Sequence, residues 1–387
     1  MLDPPAQAEI EALEIVLTAA CNLKCAYCYQ NDKKPRSMSW DTLRGALDLL
    51  LLSRCQEVEV LFLGGEPLLE FPLIRKAVAY VERTRPRNRT VRYSLITNGT
   101  LLRKEQARFL ARHRIGVQLS FDGVPAAQGL RGRGTFVVLD RLLDILRTEE
   151  PRLYRERLSV NVTLTAAAIP HLADSIAYLL GKGLPEIAVV PVVTHDRKWK
   201  NDALETLNEQ FAGVFKACLK HYHRTAEVPL LLFRTNGADG PTERGRRPEG
   251  AMCRAPTGHS LAVDVDGQVH GCAAFVESYQ KFPSPFLRDR VAAMRLGDYR
   301  APDFTKRLAA YPQAARRTGI FHDKRGKHSS FGRCGECRFV EACSVCPASI
   351  GHIPGNTDPS RVPDFVCAFN LVALSWRERF PVNVGHS

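Results

Sequence analysis

The stretch Cys21-Asn22-Leu23-Lys24-Cys25-Ala26-Tyr27-Cys28 decides how the rest of the chain is read. Its three cysteines have three and then two residues between them. They directly follow an apolar run, Ala12 to Ala20, with the composition of a strand. Three thiolates on one loop can converge on one inorganic centre. A four-iron cluster normally takes four cysteine thiolates. A loop that supplies only three leaves one iron free to bind another molecule. Two other chemistries use similar residues. Zinc wants four ligands, commonly from CxxC pairs, and Cys25-x2-Cys28 alone could be a redox pair. Neither uses the third cysteine or the aromatic Tyr27.

Beyond this loop, strand and helix patterns alternate. Trp40 to Ser53 is expected to be a helix, with Ser39 as N-cap and Asp41 in its first turn. Val58 to Leu63 is the second strand, Val91 to Thr97 the third, Val117 to Phe121 the fourth and Leu158 to Leu164 the fifth. Helices are expected over Leu73 to Arg83, Lys104 to Arg112, Phe136 to Arg147 and His171 to Leu180. Ile187 to Val193 is a sixth, wholly apolar strand, the pattern of a strand buried on both faces. Strands alternating with helices argue for a parallel α/β architecture. After Thr194 the pattern changes: one helix over Leu204 to His223, then a Gly- and Arg-rich loop, Asn236 to Gly250. Ser260 to His270 carries Asp266-Gly267 between apolar residues, a hairpin signal. An irregular, cysteine-rich remainder ends in a helix near Phe365 to Arg377. The domains expected are residues 1–200 (core), 201–250 (helical linker and loop) and 251–387 (cysteine-rich domain).

Composition narrows the function classes. The chain has 387 residues, 45% hydrophobic and 25% charged, an ordinary globular balance. No apolar run approaches the ~20 residues of a membrane span. Met1-Leu2-Asp3-Pro4-Pro5 has neither the basic nor the apolar region of a secretory signal, so a cytoplasmic protein without membrane contact is expected. Twelve cysteines in such a chain point to metal or chemistry rather than disulfides. Cys55 and Cys218 stand apart from the others and are expected to be ordinary thiols. A net charge of +13 favours acidic partners. Arg83 to Arg89 and Arg244 to Arg247 are its local runs, and solvated loops account for them equally well. No zinc finger or RNP-type aromatic motif accompanies them, so nucleic acid is not the expected partner.

Further motifs follow the strands. Gly64-Gly65-Glu66-Pro67 ends the second; two glycines let another group approach the backbone, and proline stops the strand. Strand C-terminal ends are where α/β folds bind ligands. Ser120-Phe121-Asp122-Gly123 ends the fourth strand, and Arg131-Gly132 follows. Asp122-Gly123 suits a turn as well as a site. Asn98-Gly99 lines the site or makes a turn, and Asn161 is a site contact or a polar strand residue.

Together the three-cysteine loop and the GGEP motif resemble the radical S-adenosylmethionine (radical SAM) superfamily. The later cysteines, Cys253, Cys272, Cys334, Cys337, Cys343, Cys346 and Cys367, with Gly267 and Arg295-Leu296-Gly297, resemble its SPASM extension. The resemblance implies a partial (β/α)6 barrel with a small cysteine-rich C-terminal domain. It implies a [4Fe–4S] cluster on Cys21, Cys25 and Cys28, with SAM bound at the open iron. The expected cofactor contacts are Tyr27, Gly64, Gly65, Glu66, Pro67, Asn98, Ser120, Arg131 and Asn161. Relatives often carry His-Asp shortly before the arginine, where this chain has Gln128-Gly129. Two auxiliary iron–sulfur clusters are implied, one on Cys334, Cys337, Cys343 and Cys367. The other takes Cys253, Cys272 and Cys346, with one iron open to substrate, water or a non-cysteine side chain. The family's last spacing is x3, and Cys343-x2-Cys346 departs from it. A four-cysteine zinc knuckle is the alternative for Cys334 to Cys346, but it leaves Cys253, Cys272 and Cys367 unexplained.

The implied chemistry is a one-electron cleavage of SAM to a 5′-deoxyadenosyl radical. The radical removes hydrogen from the substrate, and the auxiliary clusters accept the electron left behind or bind substrate. The expected function is oxidative cross-linking of a ribosomally made peptide with an acidic leader, supported by a flavodoxin- or ferredoxin-type donor. Against this reading, the chain begins directly at the first strand, without the N-terminal peptide-recognition domain of many such relatives; a separate recognition protein could serve instead. The alternatives are formylglycine formation as in sulfatase maturases, dehydrogenation of a small molecule, and, from a different class, RNA binding or modification. In the maturases an aspartate follows the cysteine equivalent to Cys272; here it is Ala273.

Overall fold

The computed structural model describes residues 9–31, 33–51, 53–234, 252–276, 281–292, 294–321 and 323–381. Its centre is a run of six parallel strands: β1 (Ala12–Val16), β2 (Glu57–Leu63), β3 (Thr90–Thr97), β4 (Gly116–Ser120), β5 (Leu158–Leu164) and β6 (Glu186–Pro191). Each lies beside its sequence neighbour, as βαβ crossovers require. Helices Trp40–Leu51, Phe71–Thr84, Lys104–Arg112, Thr135–Glu149 and Leu172–Gly181 return the chain between strands.

Alternation along the strands sorts the two faces. On β5, Leu158, Val160, Val162 and Leu164 are buried against helices, while Ser159, Asn161 and Thr163 are half-buried on the other face. Leu13 and Ile15 on β1, with Val58, Val60 and Phe62 on β2, belong to the same helix-covered core. The helices answer in kind. Trp40–Leu51 buries Leu43, Ala46, Leu47 and Leu50, the three-to-four spacing of one helical face. Ser39 Oγ accepts the Thr42 amide at 3.1 Å, the N-cap expected from the sequence. The inner face carries the polar residues, including Glu14, Glu59, Ser94, Ser120 and Asn161.

Three features depart from the sequence expectations. First, β6 is not buried on both faces: it ends the sheet, and Val190 is 40% exposed. Second, the expected hairpin forms as β7 (Ser260–Val263) and β8 (Gln268–His270), but β7 also pairs in parallel with β1. With β9 (Gly297–Asp298) it extends the barrel's own sheet, in the order β6-β5-β4-β3-β2-β1-β7-β8-β9. Third, the region expected to be irregular contains helices Pro285–Ala292 and Phe304–Arg317. The expected final helix is Asp364–Glu378. It packs on Leu204–Thr225 through Phe369 against Phe211, with ring centroids 5.7 Å apart, and Trp376 against Phe215, at 5.3 Å.

The Arg83 to Arg89 run is partly structural. Arg89 donates to the carbonyls of Leu50, Leu51 and Ser53 and so caps the end of helix Trp40–Leu51. The loop expected over Asn236 to Gly250, with the Arg244 to Arg247 run in it, lies outside the described residues.

Candidate active site

Beyond β1 the chain stays beside β2, with the Leu17 amide donating to Leu63 O at 2.9 Å, and then turns into the cysteine loop at the C-terminal mouth of the barrel. Cys21, Cys25 and Cys28 are half-buried and unbridged, and their thiols lie close enough to act on one another electrostatically. Burial pushes the Cys21 and Cys25 thiols up. Lys33 works against this at both, and Arg131 does so at Cys25. Unpaired thiols facing one another with two cations nearby suit an inorganic centre that takes thiolates and releases their protons. The donor set therefore fits a cluster.

The GGEP segment is built into this loop. A Cβ on Gly64 would stand 2.5 Å from Thr18 O, and one on Gly65 only 2.1 Å from Ala20 O. The group the glycines admit is the chain's own backbone: Gly65 and Glu66 amides donate to Thr18 O and Ala20 O at 2.7 and 2.8 Å. Glu66 is 1% exposed. Its carboxylate accepts Thr97 Oγ1 at 2.6 Å, the Asn98 amide at 2.8 Å and the Leu68 amide at 3.0 Å. It thereby ties the ends of β2 and β3 together. Pro67 is buried at the start of the following turn. Asn98 reaches back to the cysteine loop, donating to Asn22 Oδ1 at 2.9 Å, with its Nδ2 also 4.0 Å from Cys21 Sγ. Gln30 Nε2 donates to Gly64 O at 2.7 Å.

On the opposite wall Asp122, 2% exposed, is the hub that the sequence divides between turn and site. It accepts Arg131 Nε at 2.9 Å, Arg131 Nη2 at 2.7 Å, the Thr163 amide at 2.8 Å and the Tyr27 hydroxyl. Arg131 also stands 5.4 Å from the centre of the Tyr27 ring. Burial opposes the Arg131 charge, and the Asp122 carboxylate outweighs it, holding the guanidinium above its ordinary value. The resemblance assigns Arg131 to the carboxylate of SAM; here two of its nitrogens are committed to Asp122. Gln128, where relatives have His, accepts the Asp122 amide at 2.8 Å and donates to Thr135 Oγ1 at 3.0 Å. Ser120 and Asn161 are register partners on β4 and β5, side by side above this group. Asp122 is the residue that sequence reasoning undervalued. Its place two residues after Ser120, at a strand's C-terminal end, was the available signal.

The later cysteines fall into two groups. Cys334, Cys337, Cys343 and Cys367 line one largely apolar cavity with Phe339 and Val345. Cys253 and Cys346 act electrostatically on Cys272, whose thiol is held well above its ordinary value, first by burial and then by the Glu14 carboxylate. Cys346 thus sits with Cys272 despite its shorter spacing. Among the described residues no three Cys, His, Asp or Glu side chains meet at a point one ion could fill. Glu14 accepts the Ala273 amide at 2.6 Å, and burial raises its carboxyl to about 7. Tyr29 stands between the two halves of the protein, acted on by both Cys28 and Cys272. Cys218 is buried and its thiol is raised to about 12, as expected of an ordinary core thiol.

The radical SAM superfamily model matches residues 15–153. An uncharacterized protein of Methanocaldococcus jannaschii is 32% identical over 264 residues, covering 67% of this chain and 84% of that one. The serine-type anaerobic sulfatase-maturating enzyme of Klebsiella aerogenes is 30% identical over 267 residues, covering 65% of this chain and 64% of the enzyme's length. Among solved structures, native anSMEcpe with bound AdoMet (that is, SAM) and the Kp18Cys peptide superposes with a TM-score of 0.71 at 18% identity, over 95% of this chain and 97% of that one. Among the described residues no helix is long and apolar enough to cross a membrane. The family match spans both the three-cysteine loop and the GGEP turn, and the similarity to these proteins extends beyond it: the chain belongs to the radical SAM superfamily of enzymes, with a SPASM-like C-terminal extension.

Proposed function

We propose that this enzyme is an oxidoreductase that modifies a peptide or protein substrate. The observation that carries the proposal is the pairing of two thiol sets across one barrel: Cys21, Cys25 and Cys28 at its mouth, and Cys253, Cys272 and Cys346 beside β1. A [4Fe–4S] cluster with SAM supplies a radical that removes hydrogen from carbon. Around it this chain's residues bind and orient. Asn98 holds the cysteine loop against β3, and Glu66 fixes the GGEP backbone. Tyr27, Asp122 and Arg131 form a rigid wall. Ser120 and Asn161 present polar groups suited to a ribose. The second thiol set would carry an auxiliary cluster able to take the electron that a net oxidation leaves behind, and the Cys334 group a third cluster. A flavodoxin- or ferredoxin-type protein would supply the first electron.

A peptide is favoured by a cleft of about 330 Å³ between the end of β6 and the C-terminal extension. It is lined by His195, Arg197, Trp199, Lys200, Arg361 and Phe365, among others, with Asp196 and Asp364 as its acidic members. Cations outnumber carboxylates there, which suits an acidic segment with aromatic anchors. Thr194 joins the cleft to the site by donating from Oγ1 to Tyr27 O at 3.3 Å. The test is anaerobic incubation of the reconstituted enzyme with SAM, reductant and peptides encoded beside its gene. A product lighter by two hydrogens, with an internal cross-link on fragmentation, is expected. Repeated failure with every such peptide contradicts the proposal.

Formylglycine formation is the second reading, favoured by the 30% identity to a serine-type sulfatase maturase. Ala273, where the maturases have aspartate, counts against it. An aminooxy probe separates the two: it labels an aldehyde product and leaves a cross-linked one untouched.

A further inference from the structure

The centre at Cys253, Cys272 and Cys346 has three thiols, and a four-iron cluster needs a ligand for each iron. The surroundings of Cys272 show where a fourth could come from. Glu14 projects from β1 to the inner face of the barrel and lines a cavity of about 430 Å³ together with Cys253, Cys272 and a further free thiol, Cys55; of the charged groups that act on Cys272, Glu14 acts most strongly. Its Oε2 accepts the amide of Ala273, the residue after Cys272, at 2.6 Å. The Ala274 amide in turn donates to Cys272 Sγ at 3.4 Å, so one short turn presents both the thiol and the carboxylate.

The other charges of this cavity are accounted for. Arg254 pairs with Glu11, and Arg92 pairs with Glu57 at 2.8 Å. Glu59 accepts Ser94 Oγ. Among the described residues no Lys or Arg forms an ion pair with Glu14. Glu14 is half-buried, and a carboxylate drawn out of water without a cation beside it is costly, while iron is a cation that accepts oxygen ligands. His270, the other buried group near Cys272, is acted on by Arg295 and Asp266 rather than by the thiols.

We propose that Glu14 is the fourth, oxygen ligand of the cluster held by Cys253, Cys272 and Cys346. The proposal rests on the reading that these thiols hold a cluster. It closes the site that three cysteines alone leave open, and so assigns this cluster to electron transfer rather than to substrate binding.

The test uses the full chain with Cys21, Cys25 and Cys28 replaced by alanine, which removes the N-terminal cluster's spectrum. Cyanide is titrated into the reduced protein and followed by electron paramagnetic resonance. With Glu14 in place the spectrum should not respond. Glu14→Gln should make it cyanide-sensitive and, on mild oxidation, lose about one iron per chain to a three-iron form. Glu14→Cys should restore resistance. A cyanide response in the protein that retains Glu14, as large as in Glu14→Gln, overturns the proposal, and that arm needs no Glu14 variant to fold. Cys272→Ala tests the underlying reading separately. It should lose about four irons; an unchanged iron count removes the cluster and the Glu14 proposal with it.

Discussion

Asp122 gathers a guanidinium, a phenol and a backbone amide around one carboxylate at a strand end. Its Gly123 makes the turn that the sequence also suggests, with φ +96° and no room for a Cβ beside Ser175. Asp122-Gly123 is therefore both things at once, and sequence alone could not weigh them because the partners Tyr27, from the cysteine loop, and Thr163, from β5, are distant in sequence. Asp122→Asn keeps the shape and removes the charge, stranding a buried guanidinium. A loss of about 3–5 kcal/mol in urea unfolding is expected, along with weaker SAM binding by calorimetry. The glycines of GGEP were legible as close-approach positions, but what approaches is backbone. Gly65→Ala places a Cβ 2.1 Å from Ala20 O, so the cysteine loop must move. Iron bound at the N-terminal cluster should fall, read as iron per chain against unsubstituted protein.

At the scale of elements, all six barrel strands and most crossover helices were legible because each repeats a local pattern, period two or three to four. What was not legible depends on pairing between remote segments. The β6 run looks like a central strand, and only its place at the sheet's end exposes Val190. β7 carries an ordinary hairpin signal, and nothing local announces that Ala12 to Ile15 would pair with Ser260 to Val263. Another long-range contact, from Tyr299 just after β9, gives helix Trp40–Leu51 an unusual interior glycine. Tyr299 Oη donates to Thr42 O at 2.8 Å, and a Cβ on Gly45 would lie 2.6 Å from that oxygen. Alanine in a helix interior normally stabilises by about 1 kcal/mol over glycine. Here Gly45→Ala should instead cost about 1–3 kcal/mol, seen as a lower Tm. Tyr299→Phe in the same chain should recover part of the loss.

For the whole molecule, the C-terminal extension shares the barrel's sheet, so its stability should report on the entire chain. His352, 3% exposed and packed against Phe282 with ring centroids 5.1 Å apart and planes tilted by 51°, is held neutral by burial, which lowers its pKa from 6.5 to about 4. The unfolded chain binds the proton first as pH falls. The stabilisation is therefore complete above 6.5, is lost progressively between 6.5 and about 4, and amounts to roughly 3 kcal/mol. His352→Phe should flatten that part of the stability profile. The cysteine pattern was the most legible feature at this scale, since ligand spacing within a loop is local. The grouping of Cys346 with Cys253 and Cys272 is the one the resemblance implies, and the fold brings these thiols near one another despite the shorter x2 spacing.

The account stands most directly on an anaerobic reconstitution. Iron and sulfide would be counted per chain, and 5′-deoxyadenosine measured after adding dithionite and SAM. About twelve irons with release of 5′-deoxyadenosine is the predicted result, three four-iron clusters with radical chemistry at the first. About four irons with zinc would remove the auxiliary clusters. No 5′-deoxyadenosine from a fully loaded, reduced protein would contradict the central claim.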